Sequence, residues 1–248
     1  MARPEPSAFE RRSVVVTGAT GNLGQAVVRA YLGAGAHVAI PVRDAAKAEA
    51  LRAGLGDLVD PEGDAADPRL LVVEAELADR AQMDAFVDRV MRTWGRLDVL
   101  ASLAGGFGTG AADDLDRISA LWEQNVATGV VPAAACLVPM RARAYGRIVS
   151  VAAGSALKGG RNTAGYAMAK GAVVRWTEAL AAETKDQGIT VNAILPGTID
   201  HPVNRANLPK ADPKTWVQPR EAAALILFLT SADASGITGA AIPITARA

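Results

Sequence analysis

The chain has 248 residues, with 26 Lys or Arg against 26 Asp or Glu, so its formal net charge at pH 7 is zero. Half of the residues are hydrophobic, and a chain of this length can bury roughly 70–75% of its unfolded surface in one core. Zero net charge gives no electrostatic reason to expect a nucleic acid or an anionic membrane as partner. One cysteine, Cys136, and two histidines, His37 and His201, exclude an internal disulfide and make a His/Cys metal site improbable.

The N-terminal segment has none of the features of a targeting signal. Residues 1–12 contain prolines and acidic residues where a signal peptide needs an apolar run. No uncharged stretch reaches the ~18 residues of a membrane-spanning helix, and the longest contain proline or glycine. A lone cysteine is typical of a reducing compartment. We therefore expect a cytoplasmic protein with a flexible arm at residues 1–12.

Strand-like apolar segments alternate with helical segments along the whole chain. In chain order the patterns predict strand 13–17, helix 22–32, strand 36–42, helix 44–55, strand 70–74, helix 80–94, strand 97–103, helix 115–140, strand 147–151, helix 166–184, strand 190–195, helix 220–230 and strand 237–244. A surface loop rich in Asp, Gly and Pro is predicted at 56–68. Strands that are apolar on both faces need a parallel sheet covered by helices on both sides. The prediction is one α/β domain over 1–248, a doubly wound Rossmann-type sheet with its ligand site beyond the carboxyl ends of the strands.

A glycine-rich turn at residues 17–24 joins the first strand to the first helix. Gly18 allows a tight turn, Gly21 lets the backbone approach a pyrophosphate, and Gly24 lets the helix pack close to the sheet. The helix N-terminus then presents unpaired N–H groups and a positive dipole end to the phosphates. At this place in an alternating fold the turn predicts a dinucleotide site.

Tyr166 and Lys170 form a second motif. Four residues separate them in a predicted helix, so their side chains lie on one face. A free phenol has a pKa near ~10, and a nearby ammonium favours the phenolate and lowers that pKa. The pair therefore predicts an acid/base function, while a chance pair on a helix surface remains the alternative that spacing alone leaves open.

Together these motifs resemble the short-chain dehydrogenase/reductase family over residues 13–244. Further landmarks are the segment 97–100 followed by Ala104-Gly105-Gly106, Asn125 in the long helix, and the segments 146–150 and 189–197. The resemblance implies a nicotinamide dinucleotide and hydride transfer. It further implies that Tyr166 is the acid/base, that Lys170 holds the nicotinamide ribose and lowers the tyrosine pKa, and that Asn125 supports a proton-relay water.

The position of the family's catalytic serine is occupied by alanine. That serine lies thirteen residues before the tyrosine, and the residue there is Ala153. Ser150 belongs to a predicted strand and Ser155 comes two residues late, so a loop hydroxyl that caps its own backbone is the alternative to a substitute catalytic group. We keep Ala153 and Ser155 as candidate substrate contacts.

Other positions also depart from the family pattern. Asn22 stands where most short members have glycine, and Ser102 and Leu103 replace both asparagines of the usual Asn-Asn-Ala-Gly segment. His201 replaces a threonine. The segments 104–107, 166–173, 199–205 and 209–212, together with Trp216, resemble dihydropteridine reductase, which also lacks the serine. Because its quinonoid substrate is already electrophilic, a hydroxyl donor to a developing oxyanion is less necessary, and Ala153 predicts an activated or conjugated acceptor.

Cofactor choice depends on the end of the second strand. Val42 lies where an acid would accept the adenosine ribose hydroxyls, and Arg43 follows it. A guanidinium suits a 2′-phosphate, so NADP(H) is favoured over NAD(H), unless Arg43 is a solvated charge and Asp44 does the acid's work. The resemblance implies that the cofactor contacts, besides Tyr166 and Lys170, are Gly18, Thr20, Gly21, Asn22, Leu23, Gly24, Arg43, Glu76, Leu77, Ala104, Gly105, Pro196, Gly197 and Ile199.

Residues 200–217, here called the lid segment, follow the carboxyl end of a strand and resemble the family's substrate lid. His201, Asn204 and Arg205 are its candidate substrate contacts, and a lid would exclude water during hydride transfer. The family also implies a homotetramer or homodimer packed through helices 115–140 and 166–184. Exposed loop positions with no role are the alternative for each of the three side chains.

The sequence therefore predicts a reductase that transfers hydride from NADPH to a small carbonyl, imine or quinonoid acceptor. The alternative is a catalytically impaired homologue that binds the nucleotide as a regulatory module. The missing serine motivates that alternative, and the presence of Tyr166, Lys170 and Asn125 argues against it. A carbohydrate-nucleotide epimerase shares the glycine spacing but usually needs a further C-terminal substrate region.

Overall fold

The structure is a computed structural model that describes residues 8–59 and 67–245. Most of the predicted arm and the centre of the predicted loop 56–68 lie outside the described residues. Seven parallel strands form one sheet in the order β3-β2-β1-β4-β5-β6-β7. Their bounds are β1 Ser13–Thr17, β2 His37–Val42, β3 Leu70–Glu74, β4 Val99–Ser102, β5 Gly146–Val151, β6 Ile189–Pro196 and β7 Ala241–Ile244.

Eight α-helices connect and cover these strands in the described part of the chain. They are α1 Asn22–Gly33, α2 Ala45–Leu55, α3 Arg80–Trp94, α4 Leu115–Trp122, α5 Thr128–Ala142, α6 Ala164–Thr184, α7 Pro202–Asn207 and α8 Pro219–Thr230. A π-helical turn at Glu123–Ala127 joins α4 to α5, so the helix predicted at 115–140 is continuous but contains one wide turn. The predicted single α/β domain with a Rossmann-type parallel sheet is confirmed.

Alternate residues of a strand serve two different cores. Val14 and Val16 of β1 pack in the core that α1 and α8 cover, whereas Val15 packs in the core that α3, α5 and α6 cover. Successive side chains of a strand point to opposite faces of the sheet. Because each face of β1 is covered by helices, every residue of the strand is buried, as predicted from its unbroken apolar run.

Two predicted elements differ from the structure near the C-terminus. The strand predicted at 237–244 begins only at Ala241, because the backbone of the residues before it is hydrogen-bonded by a side chain of β6. Asn192 of β6 donates its Nδ2 to the Ile237 carbonyl at 2.8 Å and accepts from the Ala240 N–H at 3.0 Å. The short helix α7 inside the lid segment was not predicted; His201 caps it, and its first helical residue is a proline, which suits that position.

The stretch Leu115–Ala142 is long and apolar enough to cross a membrane by length and composition, and 44% of its most apolar window is buried in the fold. The α5 part of this stretch contributes Ala133, Cys136 and Met140 to the core beneath β4 and β5. A helix buried against a sheet can have the same apolar composition as a membrane-spanning helix. The core contacts of α5 account for the apolar composition here.

The strand order places the ligand site. The chain runs outward from β1 to β3 and then crosses back to β4 on the other side of β1. The loops that follow β1 and β4 therefore separate in opposite directions at the carboxyl ends of these two strands, and ligands of open α/β sheets bind in the crevice that this reversal creates.

Candidate active site

The glycine-rich turn is closely packed against the loop that follows β4. Gly18 has a φ of +65°, which favours glycine, and a Cβ there would lie 2.9 Å from the Ala104 nitrogen. A Cβ on Gly24 would collide with the Gly18 carbonyl and would lie 2.7 Å from the Ala19 Cα. The main chain occupies the space that any larger side chain would need, so at Gly24 helix α1 lies closely against the turn that follows β1.

This turn forms one wall of a cleft of about 360 Å³ at the switch point. Gly21 is the N-cap of α1 and offers no side-chain acceptor to the first turn of the helix. The first N–H groups of a helix have no intrahelical acceptor and, with the helix dipole, form a site for phosphate. The remaining walls come from the ends of the next strands, with Pro41, Val42, Arg43, Ala75, Leu77, Leu103, Ala104 and Gly105. A dinucleotide with its pyrophosphate on α1 fits this donor set.

The adenosine end of the cleft carries one basic and one acidic side chain. The Arg43 Nη1 lies 3.5 Å from the Glu76 Oε2, and three-quarters of the Arg43 side chain is exposed. Asp44 caps α2, where its Oδ1 accepts from the Lys47 N–H at 3.1 Å. This hydrogen bond lowers the pKa of Asp44. The carboxylate that could replace the missing ribose acceptor is therefore engaged in capping a helix.

Tyr166 and Lys170 lie on one face of α6 at the opposite end of this region. The Lys170 Nζ donates to the Val151 carbonyl at 2.9 Å and lies 5.9 Å from the centroid of the Tyr166 ring. Only 4% of Lys170 is exposed. The edge of the Phe107 ring meets the phenol, with centroids 5.1 Å apart at 78°. The predicted pair is thus held between the ends of β4 and β5.

Asn125 fixes the loop that carries Phe107. Its Oδ1 accepts from the Gly106 N–H at 3.0 Å, while its Nδ2 donates to the carbonyls of Gly106 at 3.1 Å and Leu121 at 3.0 Å. A Cβ on Gly105 would lie 2.7 Å from Asn125 Oδ1 and 3.1 Å from Lys170 Nζ, so glycine permits this approach. The π-helical turn holds Asn125 buried at this point, and such turns are frequent at functional sites. The structure brings Asn125 to the Tyr166/Lys170 pair; its proton-relay role stays a prediction.

Burial controls the two ionisable groups of the pair. It raises the pKa of Tyr166, opposite to the lowering expected from the ammonium, because the phenol loses solvent while the Lys170 Nζ is turned to a backbone carbonyl. Burial also lowers the pKa of Lys170 to about 8. At neutral pH both groups are therefore protonated, which is the form that donates a proton.

Nucleotide affinity is expected to decrease as the pH rises. As pH rises through about 8, Lys170 of the free protein loses its proton, whereas an anionic dinucleotide beside it favours the ammonium. Between about pH 7 and about pH 9 the Kd for NADPH should rise by up to about tenfold, because binding above the lowered pKa must also take up a proton. The K170R variant keeps its charge throughout, so its Kd measured by fluorescence titration should stay flat. A wild-type Kd that does not change would place Lys170 away from the bound nucleotide.

Ala153 occupies the position of the missing serine, and two serine hydroxyls lie near it in sequence. Ala153 has an extended backbone and precedes a short 3₁₀ turn, Gly154–Ala156. The hydroxyls of Ser150 and Ser155 are both buried with no hydrogen-bond partner among residues 8–59 and 67–245. Either hydroxyl is therefore available to form a hydrogen bond, and Ser155 stays a candidate substrate contact. The methyl side chain of Ala153 can neither donate nor accept a hydrogen bond.

The predicted substrate side chains of the lid segment form hydrogen bonds within it or with Ile199, the residue just before it. The His201 Nδ1 accepts from the Val203 N–H at 3.3 Å, and the Asn204 Nδ2 donates to the Ile199 carbonyl at 2.8 Å. Arg205 makes two hydrogen bonds of 2.7 Å to Asp200. These contacts shape the segment; contact with a substrate stays a prediction for all three side chains. Gly197 and Pro196 lie at the end of β6, where the Gly197 N–H donates to the Ile244 carbonyl at 2.9 Å.

Sequence reasoning missed two residues of this region. Phe107 belongs to a segment that resembles dihydropteridine reductase, but nothing in its spacing placed it on the Tyr166 ring. The sequence shows Asp200 only as the first residue of a polar loop, although it joins both ends of the lid segment. An acid three residues after the Pro-Gly pair that ends a strand is a weak signal that could have indicated it.

Comparison with known proteins agrees with this geometry. The family described as short chain dehydrogenase matches residues 12–212. The chain is 31% identical over 254 residues to the meso-2,3-butanediol dehydrogenase of Serratia marcescens, with 95% of this chain and 94% of that protein covered. A crystal structure of levodione reductase has a TM-score of 0.85 at 27% identity, covering 96% of this chain and 97% of that one. The crystal structure of an NAD+-bound xylitol dehydrogenase has a TM-score of 0.85 at 24% identity, covering 95% and 98%, a likeness of fold.

The family match spans more than half of the chain and includes the glycine-rich turn, Asn125, Tyr166 and Lys170. The predicted family is therefore confirmed, while the likeness to dihydropteridine reductase stays a prediction. The chain belongs to the short-chain dehydrogenase family, whose oxidoreductases use nicotinamide cofactors and act on carbonyl-type substrates.

Proposed function

We propose that the protein is an NADPH-dependent reductase of small conjugated or otherwise activated acceptors. The observation that carries the proposal is the Tyr166/Lys170 pair, with Lys170 buried and Tyr166 partly buried, together with alanine, Ala153, where the family has its catalytic serine. A serine hydroxyl would stabilise negative charge developing on a carbonyl oxygen, usually a large contribution to catalysis. An acceptor that spreads this charge over a conjugated system depends less on such a donor.

Each residue of the pair has a role that follows from its position. When bound, the nicotinamide supplies the hydride. Tyr166, kept protonated by burial, donates its phenolic proton to the acceptor atom that becomes negative, as a general acid. Lys170, held by the Val151 carbonyl, presents a charge beside the phenol and the nucleotide. Asn125 holds the Gly106 backbone, which keeps the opposite wall of the site in place.

Phe107 supports a planar acceptor. Its side chain stands against the Tyr166 ring and yet is 69% exposed, which is unusual for a large aromatic residue. A flat ring that enters the site next to the phenol could cover this exposed face, and aromatic pairs gain about 0.5–1.5 kcal/mol beyond the area they bury. A small aliphatic ketone would leave it in water.

The preference for NADPH over NADH rests on Arg43. Its exposed guanidinium lies at the adenosine end of the cleft and can bind a 2′-phosphate through paired hydrogen bonds. Val42 offers no carboxylate to the ribose hydroxyls, and Asp44 is engaged as a cap. A carboxylate that would bind the ribose hydroxyls and repel the phosphate is thus replaced by Val42 at the end of β2, and a 2′-phosphate would compete with Glu76 for Arg43.

A nucleotide-binding module without catalysis is the second candidate. The observation that favours it is the same alanine, since no hydroxyl at Ala153 can complete the family's catalytic set. This candidate predicts tight binding of NADPH with no turnover that depends on Tyr166.

The experiment compares acceptors with and without the restored hydroxyl. Purified protein is incubated with NADPH or NADH and a panel of quinonoid dihydropterins, quinones, imines and simple ketones, and nucleotide oxidation is followed by absorbance. We expect turnover of the conjugated acceptors with NADPH preferred. The A153S variant should gain about tenfold or more on simple ketones, since one oxyanion donor contributes about 100-fold or more in a formed site, and little on conjugated acceptors.

Two results would contradict the proposal. Fast reduction of simple ketones by the wild type, with quinonoid acceptors ignored, would remove the conjugated substrate class. Binding of NADPH without turnover of any acceptor would favour the nucleotide-binding module.

We also propose a homodimer or homotetramer that acts on a small molecule, with the lid segment over the acceptor. Exposed apolar residues on the long helical stretch support self-association, with Trp122 and Val138 being 42% and 61% exposed.

A further inference from the structure

A side chain of the glycine-rich turn reaches the lid segment. The Nδ2 of Asn22, the first residue of α1, donates to the main-chain carbonyl of Asp200 at 2.8 Å, although 178 residues separate the two in sequence. Asp200 is the first residue of the lid segment. Asn22 stands at a position where, by the resemblance described above, most short members of the family have glycine, which carries no amide and cannot make this hydrogen bond.

Asp200 is the residue through which the lid segment is held together. Its N–H donates to the Val217 carbonyl at 2.8 Å, which joins the beginning of the segment to its end. Its carboxylate accepts two hydrogen bonds of 2.7 Å from Arg205 of α7 and one of 3.2 Å from Gln218. The single carbonyl that Asn22 binds therefore belongs to a residue on which both ends of the segment and its helix depend.

The turn keeps its own contacts while Asn22 reaches out of it. The Gly21 N–H donates to the Gly18 carbonyl at 3.0 Å, and the Gln25 Nε2 donates to the Thr20 carbonyl at 3.1 Å. Gln25 thus makes a side-chain amide hydrogen bond of the same kind as Asn22, but to the turn itself. Because the bond from Asn22 uses its side chain, the backbone N–H groups at the start of α1 remain for a phosphate.

We propose that Asn22 is a positioning residue that ties the lid segment to the dinucleotide-binding turn. Movement of the turn is passed to Asp200, and through it to α7. A nucleotide that fixes the turn thereby fixes the base of the lid before the acceptor arrives. The effect on the acceptor rests on the proposed reductase function, whereas the tether itself does not.

The test uses two substitutions of Asn22 and one control. Asn22→Ala keeps the Cβ and removes the amide, and Asn22→Gly introduces the glycine that most short members of the family have. Gln25→Ala, the control, removes the side-chain hydrogen bond to the turn. Hydrogen exchange is measured by mass spectrometry for peptides within 199–217, with and without NADPH. Both Asn22 variants should speed exchange there by about tenfold, in line with the loss of one hydrogen bond, and Gln25→Ala should leave it as in the wild type.

Kinetics separate positioning from nucleotide binding. In both Asn22 variants the KM for the acceptor should rise by about tenfold, and by more than any rise in the Kd for NADPH, because the side-chain hydrogen bond that these variants remove is made to the lid segment. A residue that only shaped the turn would raise the Kd at least as much as the KM.

Three results would overturn the inference. These are lid exchange in Asn22→Ala equal to the wild type, an equal effect from Gln25→Ala, or a Kd that rises at least as much as the KM. If the wild type binds no NADPH, the proposed function fails, and the exchange comparison without nucleotide still decides whether the tether exists.

Discussion

The Y166F variant is expected to lose about 100- to 10,000-fold in kcat, the usual contribution of a positioned general acid. The substitution removes only the phenolic oxygen, and the ring can keep its edge contact with Phe107. Since burial keeps Tyr166 protonated, the phenylalanine loses a proton donor and not a charge. The Kd for NADPH and the melting temperature should therefore change little, and steady-state rates with the best acceptor measure the loss.

Tyr145 provides the matched control. It lies just before β5 at the amino ends of the strands, where its ring packs against Arg12 and Arg147 at 4.9 and 4.5 Å. Y145F removes the same atom at the opposite end of the sheet and should leave kcat within about twofold, as surface changes away from a site do. Equal rates for Y166F and the wild type would show that another group supplies the proton.

The G24A variant is expected to lose both stability and nucleotide binding. Its new Cβ would meet the Gly18 carbonyl and the Ala19 Cα, which are backbone atoms and cannot rotate away. Overpacking of this kind costs about 1–3 kcal/mol in free energy of unfolding, which lowers the melting temperature of a chain this size by roughly 3–10 °C. Because relief requires α1 to move away from the turn at Gly18 and Ala19, the phosphate site moves too, and the Kd for NADPH should rise by about tenfold or more.

Gly33 tests the same substitution at the other end of α1. A Cβ there has nothing within 4 Å, so G33A should raise the free energy of unfolding by roughly 0.5–1 kcal/mol through helix propensity. Thermal denaturation and nucleotide titration of both variants compare the two sites. A G24A protein as stable as G33A, with normal affinity for NADPH, would mean that α1 does not need its close approach to the sheet.

Local sequence patterns predicted most strands correctly and failed where contacts from distant residues change an element. The largely apolar runs of β1, β2 and β6 predicted buried parallel strands, since a strand covered on both faces is apolar on both sides. The strand predicted at 237–244 begins late because the Asn192 amide bonds the backbone of its first residues. No local pattern shows that a side chain of one strand will occupy the ladder of the next.

The candidate site was likewise predictable only in part. The turn at 17–24 and the Tyr166/Lys170 pair were predictable because each is a short motif with a fixed spacing. The direction of the Tyr166 pKa shift was not predictable, since it follows from burial of the phenol in the folded protein and not from the neighbouring ammonium. The bond between Asn22 and Asp200 was also invisible, because it joins residues that only the folded sheet brings together.

Ala153 has a consequence for selectivity. Enzymes that grip a substrate through a dedicated hydroxyl reject analogues lacking its partner by about 10,000-fold or more, whereas shape alone discriminates by about 10- to 200-fold per methylene. If the proposed function holds, a methyl group at this position should leave compounds to be distinguished by how well their rings cover Phe107. The enzyme should therefore tolerate a family of ring-shaped compounds that differ in where their heteroatoms lie.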